Sequence, residues 1–165
     1  MKRIISLALA LITLATCLVS CGGANYKDNV SVSTLKAKAL AEIPLADGYS
    51  EGDSDYLDFK FKNAADHIDG YSLNYSTDGR NINFVGIFHA KSPSDAKSVS
   101  DICETFLKSQ KKAFEDALAN YNAGEADKFD SAAVKTFGNY VVVVILSKAD
   151  SNKVLSAIEN ELKAE

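Results

Sequence analysis

Cysteine and histidine are both scarce in this sequence. The chain has three cysteines and two histidines among its 165 residues. Cys17 and Cys21 lie in or directly after an apolar N-terminal stretch, so Cys103 is the one thiol left in the body of the chain. A domain with one spare thiol is not stabilised by a disulfide framework.

Grouped basic residues are also missing. Eighteen lysines and arginines stand against 22 acidic residues, which gives a net charge of −4. Nucleic-acid backbones are bound by clustered lysine and arginine side chains. We therefore predict no nucleic-acid partner.

Catalytic and cofactor-binding motifs are absent as well. The sequence contains no phosphate-binding loop, Rossmann glycine pattern, His-Glu-x-x-His or Cys-x-x-Cys. Cys103 shares a helical stripe with Val99 and Phe106, which predicts that its thiol packs in the core. We predict no catalytic residue, no cofactor and no metal, and expect the protein not to be an enzyme.

The N-terminus carries the strongest signal in the chain. Lys2 and Arg3 precede an apolar run from Ile4 to Leu14, the layout of a secretory leader. About 15 apolar residues are fewer than the roughly 20 that span a bilayer as a helix. Removal of the leader takes away two positive charges and changes the net charge to −6.

The end of this leader resembles the lipobox of bacterial lipoproteins. In the segment Leu18-Val19-Ser20-Cys21, an aliphatic residue and two further residues precede a cysteine. The resemblance implies that the Cys21 thiol receives a diacylglyceryl group and that the chain is cut before it. Two acyl chains anchor a protein stably to a membrane, which predicts a protein held on the extracytoplasmic face of the cell membrane.

This processing predicts a division of the chain into three parts. Residues 1–20 are a lipoprotein signal peptide, 21–30 a lipidated tether and 31–165 a single domain. A domain of this size buries roughly two thirds of its unfolded surface without disulfides.

Hydrophobic periodicity predicts helices and strands in alternation. The predicted helices are Thr34–Ile43, Tyr56–Asp66, a long one from Ser92 to about residue 120, and a last one capped by Asp150. The long helix carries a stripe of Val99, Ile102, Cys103, Phe106, Ala113, Ala117, Leu118 and Tyr121. The predicted strands are Tyr71–Tyr75, Ile82–Phe88, Val134–Phe137 and Tyr140–Leu146.

The order of these elements predicts an α+β fold. Turns at Asp78-Gly79 and Gly138-Asn139 indicate two β-hairpins of an antiparallel sheet. We expect each hairpin to be followed by an amphipathic helix, in two layers, with an additional N-terminal helix. The strand Tyr140–Leu146 is apolar on both faces, which favours the middle of a covered sheet. Val142, Val144 and Leu146 are predicted to lie beneath the helix that begins at Ser92.

Beyond these patterns, the chain resembles a known family. The segments Asn83–Lys91, Phe114–Tyr121 and Phe137–Val143 are similar to those of the family called domain of unknown function 4358, and the resemblance extends over about Tyr56–Leu162. That family consists largely of small lipoproteins of Gram-positive, clostridia-type bacteria. Its members often carry an acid before the second strand, where this chain has Asn81 or Asn83. The family brings no catalytic residues, so the resemblance implies location and fold class.

Three groups of residues are candidates for a binding site. His67 lies between Asp66 and Asp69, the segment 47–58 is an acidic loop, and Tyr71 and Tyr75 lie on one face of a strand. The other histidine, His89, is predicted at a solvated rim. We expect a non-catalytic binding or scaffolding domain with an envelope protein as partner. The alternative is an accessory lipoprotein of a transporter that binds a small molecule or an ion.

Overall fold

A computed structural model describes residues 25–43, 49–78, 81–117 and 123–164. The predicted leader and Cys21 lie outside these ranges, as do Gly79 in the first turn and Leu118 and Tyr121 at the end of the long helix. Within the described ranges, no helix combines the length and the apolar character that crossing a membrane requires.

Five antiparallel strands form a single sheet in the order β1-β2-β3-β5-β4. The strands are β1 (Tyr49–Glu51), β2 (Ile68–Ser76), β3 (Phe84–Ala90), β4 (Ala133–Phe137) and β5 (Tyr140–Ile145). All six residues of β5 are buried, and β5 pairs on both sides, as its continuous apolar sequence predicts. The antiparallel α+β fold is confirmed, and β2 pairs with β3 and β4 with β5 in antiparallel register.

The tight turn between β4 and β5 depends on a glycine. Gly138 has a φ of +60° and follows Phe137, which pairs directly with Tyr140. A two-residue hairpin turn with positive φ at its first position favours glycine, because a Cβ is strained there.

Five α-helices in the described part of the chain accompany the sheet. They are α1 (Val32–Ala41), α2 (Ser54–Lys60), α3 (Pro93–Ala117), α4 (Ala123–Ser131) and α5 (Lys148–Leu162), and a short 3₁₀ helix spans Ala64–His67. In α3, the predicted stripe is correct at Val99, Cys103 and Phe106, which are buried, whereas Ala113 is exposed and Phe114 is buried instead.

The same cap begins the two helices that follow central strands. The Ser92 hydroxyl accepts a hydrogen bond from the Asp95 amide and donates one to the Asp95 carboxylate. Ser147 and Asp150 repeat this arrangement at the start of α5. Asp150 is therefore not the N-cap that the sequence analysis predicts. Ser147 is the cap, and Asp150 is its capping-box partner.

Helices cover both faces of the sheet, so the predicted two layers are wrong and the domain has three. On one face, α2 and α3 pack over a cluster that includes Phe61, Phe88 and Phe106. On the other face, α1 and α5 bury Leu35, Ile158 and their neighbours. Because β5 is apolar on both of its faces, it requires this second covering layer.

The side chains of β5 point opposite to the prediction. Val142 and Val144 lie in the cluster with α1 and α5, and Leu146 lies with them. Val141 and Val143 face α3. A strand apolar on both faces gives no sequence signal for which face meets which helix, because a one-residue slip exchanges the two sets.

The acidic segment 47–58 is not a loop over its described part, and that prediction is wrong. Tyr49–Glu51 pairs with the edge of β2, and Asp53 caps α2 by accepting a 2.9 Å hydrogen bond from the Tyr56 amide. The acidic residues serve here as a helix cap and a first-turn charge, both favourable at the positive end of a helix. The predicted helix Tyr56–Asp66 is also interrupted, since Asn63 has a φ of +69°. The helix α4 is missed altogether.

Candidate functional site

One cavity combines an aromatic interior with a polar rim. It has a volume of about 290 Å³ and lies at the end of the sheet where β2 and β5 end and β3 begins. Its aromatic lining residues are Tyr56, Tyr75, Phe84, Phe106, Phe114 and Phe129. Its polar lining residues are Ser76, Thr77, Asp78, Asn81, Asn83 and Gln110.

Two stacked tyrosines form one wall of this cavity. The rings of Tyr56 on α2 and Tyr75 on β2 are 4.6 Å apart and nearly parallel, at 8°. Gly52 permits this contact, since a Cβ there would lie 2.9 Å from the Tyr56 ring and 3.0 Å from Leu73 Cβ. The Gly52 amide also donates a 2.8 Å hydrogen bond to the Leu73 carbonyl, which fixes the start of α2 against the sheet.

Phenylalanines form the floor. The ring of Phe106 on α3 lies 4.9 Å from Phe84 on β3 and 4.4 Å from Phe61. At the far side, Phe114 and Phe129 join α3 to α4 at 5.5 Å. Tilted rings at these distances are favourable beyond their burial, so the floor is a rigid apolar surface.

A compensated ion pair supports the polar rim. Lys128 donates a 2.6 Å hydrogen bond to Glu125, and the two side chains are only 14% and 16% exposed. Glu125 also accepts a 2.9 Å hydrogen bond from the Ile82 amide. Asn81 accepts from Lys128 at 3.4 Å and from the Asn83 amide at 2.8 Å. The positive charge of Lys128 is thus already paired with Glu125. The same contacts hold α4 to the residues that precede β3.

Tyr56 is half-buried in the wall of the cavity. Burial, with a smaller contribution from Tyr75, raises the pKa of Tyr56 to about 12. Its hydroxyl therefore stays neutral and can act as a hydrogen-bond donor or acceptor.

The structure separates the two tyrosines that the sequence analysis pairs. Tyr75 lines the cavity, whereas Tyr71 lines a different shallow groove beside Ile68 and Gly70. They lie on the same face of β2, opposite Phe84 and Phe88 respectively. The partner of Tyr75 is instead Tyr56, which sequence spacing does not indicate because it lies on another element.

His67 does not gather Asp66 and Asp69 into a site. Its Nδ1 lies 2.7 Å from an oxygen of Asp95, at the start of α3. Hydrogen bonds from Ser92 and from His67 hold the pKa of Asp95 below its usual value. Among the residues with described positions, no three His, Cys, Asp or Glu side chains are grouped to hold a metal ion.

His89 and Cys103 lie away from the cavity. His89 is more enclosed than its predicted rim position, since its ring stacks on Tyr140 at 4.6 Å. Cys103 is 0% exposed in the cluster beneath α3, so the prediction of core packing is confirmed. Burial raises the pKa of its thiol far above the usual range.

Comparison with known proteins gives one match. The family model described as Domain of unknown function (DUF4358) matches residues 42–146, more than half of the chain. The described residues that line the cavity fall within this span, whereas α1 and α5 lie outside it. No curated protein and no solved structure matches the chain significantly.

Proposed function

The chain belongs to the DUF4358 family, and from the chemistry of the cavity and of the leader we propose that it is a lipid-anchored, non-catalytic binding domain for a small molecule. The cavity between α2, α3 and the end of the sheet is the proposed binding site. The observation that carries the proposal is the aromatic interior closed by a rim of amides and hydroxyls that also includes Asp78.

The lining favours a small, uncharged and largely apolar ligand. A volume of about 290 Å³ lies just below the usual range for ligand cavities, about 300–1,000 Å³, which favours a small ligand. The described lining residues include no lysine or arginine, and the nearby Lys128 is paired with Glu125. An anionic ligand would therefore lose its hydration without gaining a cationic partner. Ring stacking and amide hydrogen bonds favour a planar neutral group instead.

The described lining also favours binding over catalysis. It includes neither a histidine nor a cysteine, and the phenol of Tyr56 has a pKa of about 12. General acid–base catalysis works best with a group whose pKa lies near the working pH. These properties support a role in which the ligand is held and released unchanged.

Attachment of the protein to the membrane is proposed from the sequence. The lipobox-like junction at Cys21 supports a diacylglyceryl anchor on the extracytoplasmic face. Intact mass measurement of the membrane fraction should give a chain that begins at Cys21 with a diacylglyceryl addition. Cys21→Ala should remove labelling by a radioactive fatty acid, and persistent labelling of that variant would refute the assignment.

A small-molecule ligand is better supported than a protein partner in the envelope. An apolar face for protein association would present grouped exposed side chains. Within the described ranges, Phe59 is the exposed large hydrophobic residue, at 80%, and it stands alone. The proposal that such a ligand serves a transporter stays a prediction.

Native mass spectrometry of the protein, released from its own membranes in mild detergent, tests the proposal. The wild type should carry an additional non-covalent mass. Ala113 is exposed and lines the cavity, so Ala113→Trp should fill the entrance and remove that mass without disturbing the core.

Lys111→Trp is the matched control. Lys111 is exposed on the same helix but does not line the cavity, so this variant should keep the additional mass. The same additional non-covalent mass on the wild type and both variants, or no additional mass on any of them, would contradict a ligand in this cavity. Co-purification of an envelope protein with all three would favour the scaffolding function instead.

A further inference from the structure

The described N-terminal segment, from Asn25 onward, is held on the domain. The Ala164 amide donates a 2.9 Å hydrogen bond to the Asn25 carbonyl, and the Lys27 amide donates a 2.7 Å bond to the Leu162 carbonyl. Tyr26 and Lys163 form an antiparallel bridge. The N-terminal segment thus pairs with the end of α5 from Asn25 onward.

Side chains hold the same segment on the end of the sheet. Asp28 accepts a 3.0 Å hydrogen bond from the side-chain Nδ2 of Asn139, and its other oxygen lies 3.1 Å from His89 Nε2. The Tyr140 hydroxyl donates a 2.6 Å hydrogen bond to the Val30 carbonyl. Residues 25–30 are therefore part of the folded surface, and only the residues before Asn25 remain to connect it to an anchor at Cys21.

Aromatic packing closes this junction. The Tyr26 ring meets Phe137 edge to face at 5.5 Å. A Cβ at Gly138 would lie 3.3 Å from Tyr26 Cβ, so the glycine of the turn also lets the segment approach closely. The attachment is built from backbone pairing, hydrogen bonds and packing together.

Chain length then limits how far the domain can stand from its anchor. Four residue steps separate Cys21 from Asn25, and a fully extended chain covers at most about 3.6 Å per step, or about 14 Å. We propose that the surface around Asn25, Ala164 and the Gly138-Asn139 turn lies against the lipid headgroups. This proposal rests on the lipidation of Cys21 proposed above.

The ligand cavity then faces away from the membrane. In the central pair of strands, His89 pairs with Tyr140 at the end nearest the N-terminal segment, and Phe84 pairs with Ile145 at the other end. β3 has seven residues, which span about 20 Å. The cavity opens beside Phe84 and Ile145, so the chain holds it at the membrane-distal end.

The short connection, and not surface charge, sets this orientation. The exposed side chains near Asn25 are of both signs and include Lys27, Asp28 and Lys163. A surface with charges of both signs is attracted only weakly to anionic lipids, and salt screens that attraction. The orientation should therefore persist at high ionic strength.

Fluorescence quenching on vesicles tests the proposal with the lipidated full chain. Vesicles of phosphatidylethanolamine and phosphatidylglycerol carry a headgroup spin label as quencher. A fluorophore is placed by Ala164→Cys at the near end or by Asp127→Cys on α4 at the far end, each in a Cys103→Ala background. Both sites are exposed. The label at position 164 should be quenched at least about twofold more than the label at 127, since about 20 Å of sheet separates the two ends.

A linker variant is the matched control. Insertion of about twelve glycine and serine residues between Gly23 and Ala24 provides a flexible tether and should remove the difference between the two labels. Equal quenching of both labels without the insertion, or stronger quenching at 127, would overturn the orientation. Failure of the protein to float with the vesicles, together with a mass that lacks the lipid, would instead refute the lipidation and the orientation with it.

Discussion

Gly86 lies in the middle of β3, where the sheet supports the floor of the cavity. It is fully enclosed between Leu73 on β2 and Val143 on β5. A Cβ at this position would lie 2.8 Å from Val143 Cγ1 and 2.9 Å from the Phe84 ring. Both contacts are shorter than packed carbon atoms tolerate, so Gly86→Ala must displace at least one of two buried side chains.

The expected cost of Gly86→Ala follows from two opposing effects. Overpacking a core position costs about 1–3 kcal/mol. Replacing glycine by alanine lowers the entropy of the unfolded chain and returns about 0.4–1 kcal/mol. We expect a net loss of about 1–2 kcal/mol in the free energy of unfolding. Because Phe84 lines the cavity, ligand binding should weaken too.

Urea unfolding followed by circular dichroism measures this loss. The midpoint should fall while the slope stays unchanged. Gly124→Ala is the matched control, because no atom lies within 4 Å of a Cβ there, and its stability should stay equal or rise by up to about 1 kcal/mol. The double variant Gly86→Ala, Val143→Ala should be about 1 kcal/mol more stable than the sum of the single effects. A Gly86→Ala protein as stable as the wild type, or strict additivity in the double variant, would refute the steric argument.

The core and the cavity support three further predictions. Cys103 should react with a maleimide slowly in the native protein and rapidly in denaturant, and Cys103→Ser should be no better tolerated than Cys103→Ala, because a buried hydroxyl needs an acceptor. Val142→Asp and Val143→Asp should each lose several kcal/mol of a total of about 5–15, since both sheet faces are covered; wild-type melting of either variant would contradict the three layers. Because folding raises the pKa of Tyr56, the phenol loses its proton at a lower pH in the unfolded chain than in the folded protein. The contribution of this phenol to stability is therefore complete below pH 10 and is lost as the pH rises through about 12. Tyr56→Phe should therefore show a shallower loss of stability over that range, and an unchanged alkaline profile would argue against the burial of this phenol.

Local sequence signals predict the elements of this fold well. Alternation around Asp78 and the Gly138-Asn139 turn identifies both hairpins, and Ser92 with Asp95 identifies the start of α3. These features depend on residues that are neighbours in sequence, so their physical cause is readable there.

The layers are harder to predict because they depend on long-range choices. The sequence of β5 is apolar at every position, so it requires cover on both faces but does not say which helix lies on which face. The strand β1 has only three residues, of which Glu51 disfavours a strand. It forms because it pairs with β2, and its own sequence does not indicate that partner.

The cavity could be predicted only in part for the same reason. Tyr75 is recognisable as one half-buried aromatic residue on a strand, and it is the member of the predicted tyrosine pair that lines the site. Tyr56 comes from α2 and Phe129 from α4, and both reach the cavity only through tertiary packing. The missed helix α4 brings Phe129 to the floor of the cavity, and its Glu125 and Lys128 support the rim through Ile82 and Asn81.

Titration of the protein with indole, followed by ¹H–¹⁵N nuclear magnetic resonance, tests directly whether the cavity takes a small neutral ring. Binding there should give saturable shifts of the amides at Tyr75, Phe84 and Phe129. Those shifts should be absent in Ala113→Trp and absent when benzoate replaces indole, since no free cation lines the described wall. No saturable shift at these amides, or shifts confined to the separate groove at Tyr71, would contradict binding in the cavity.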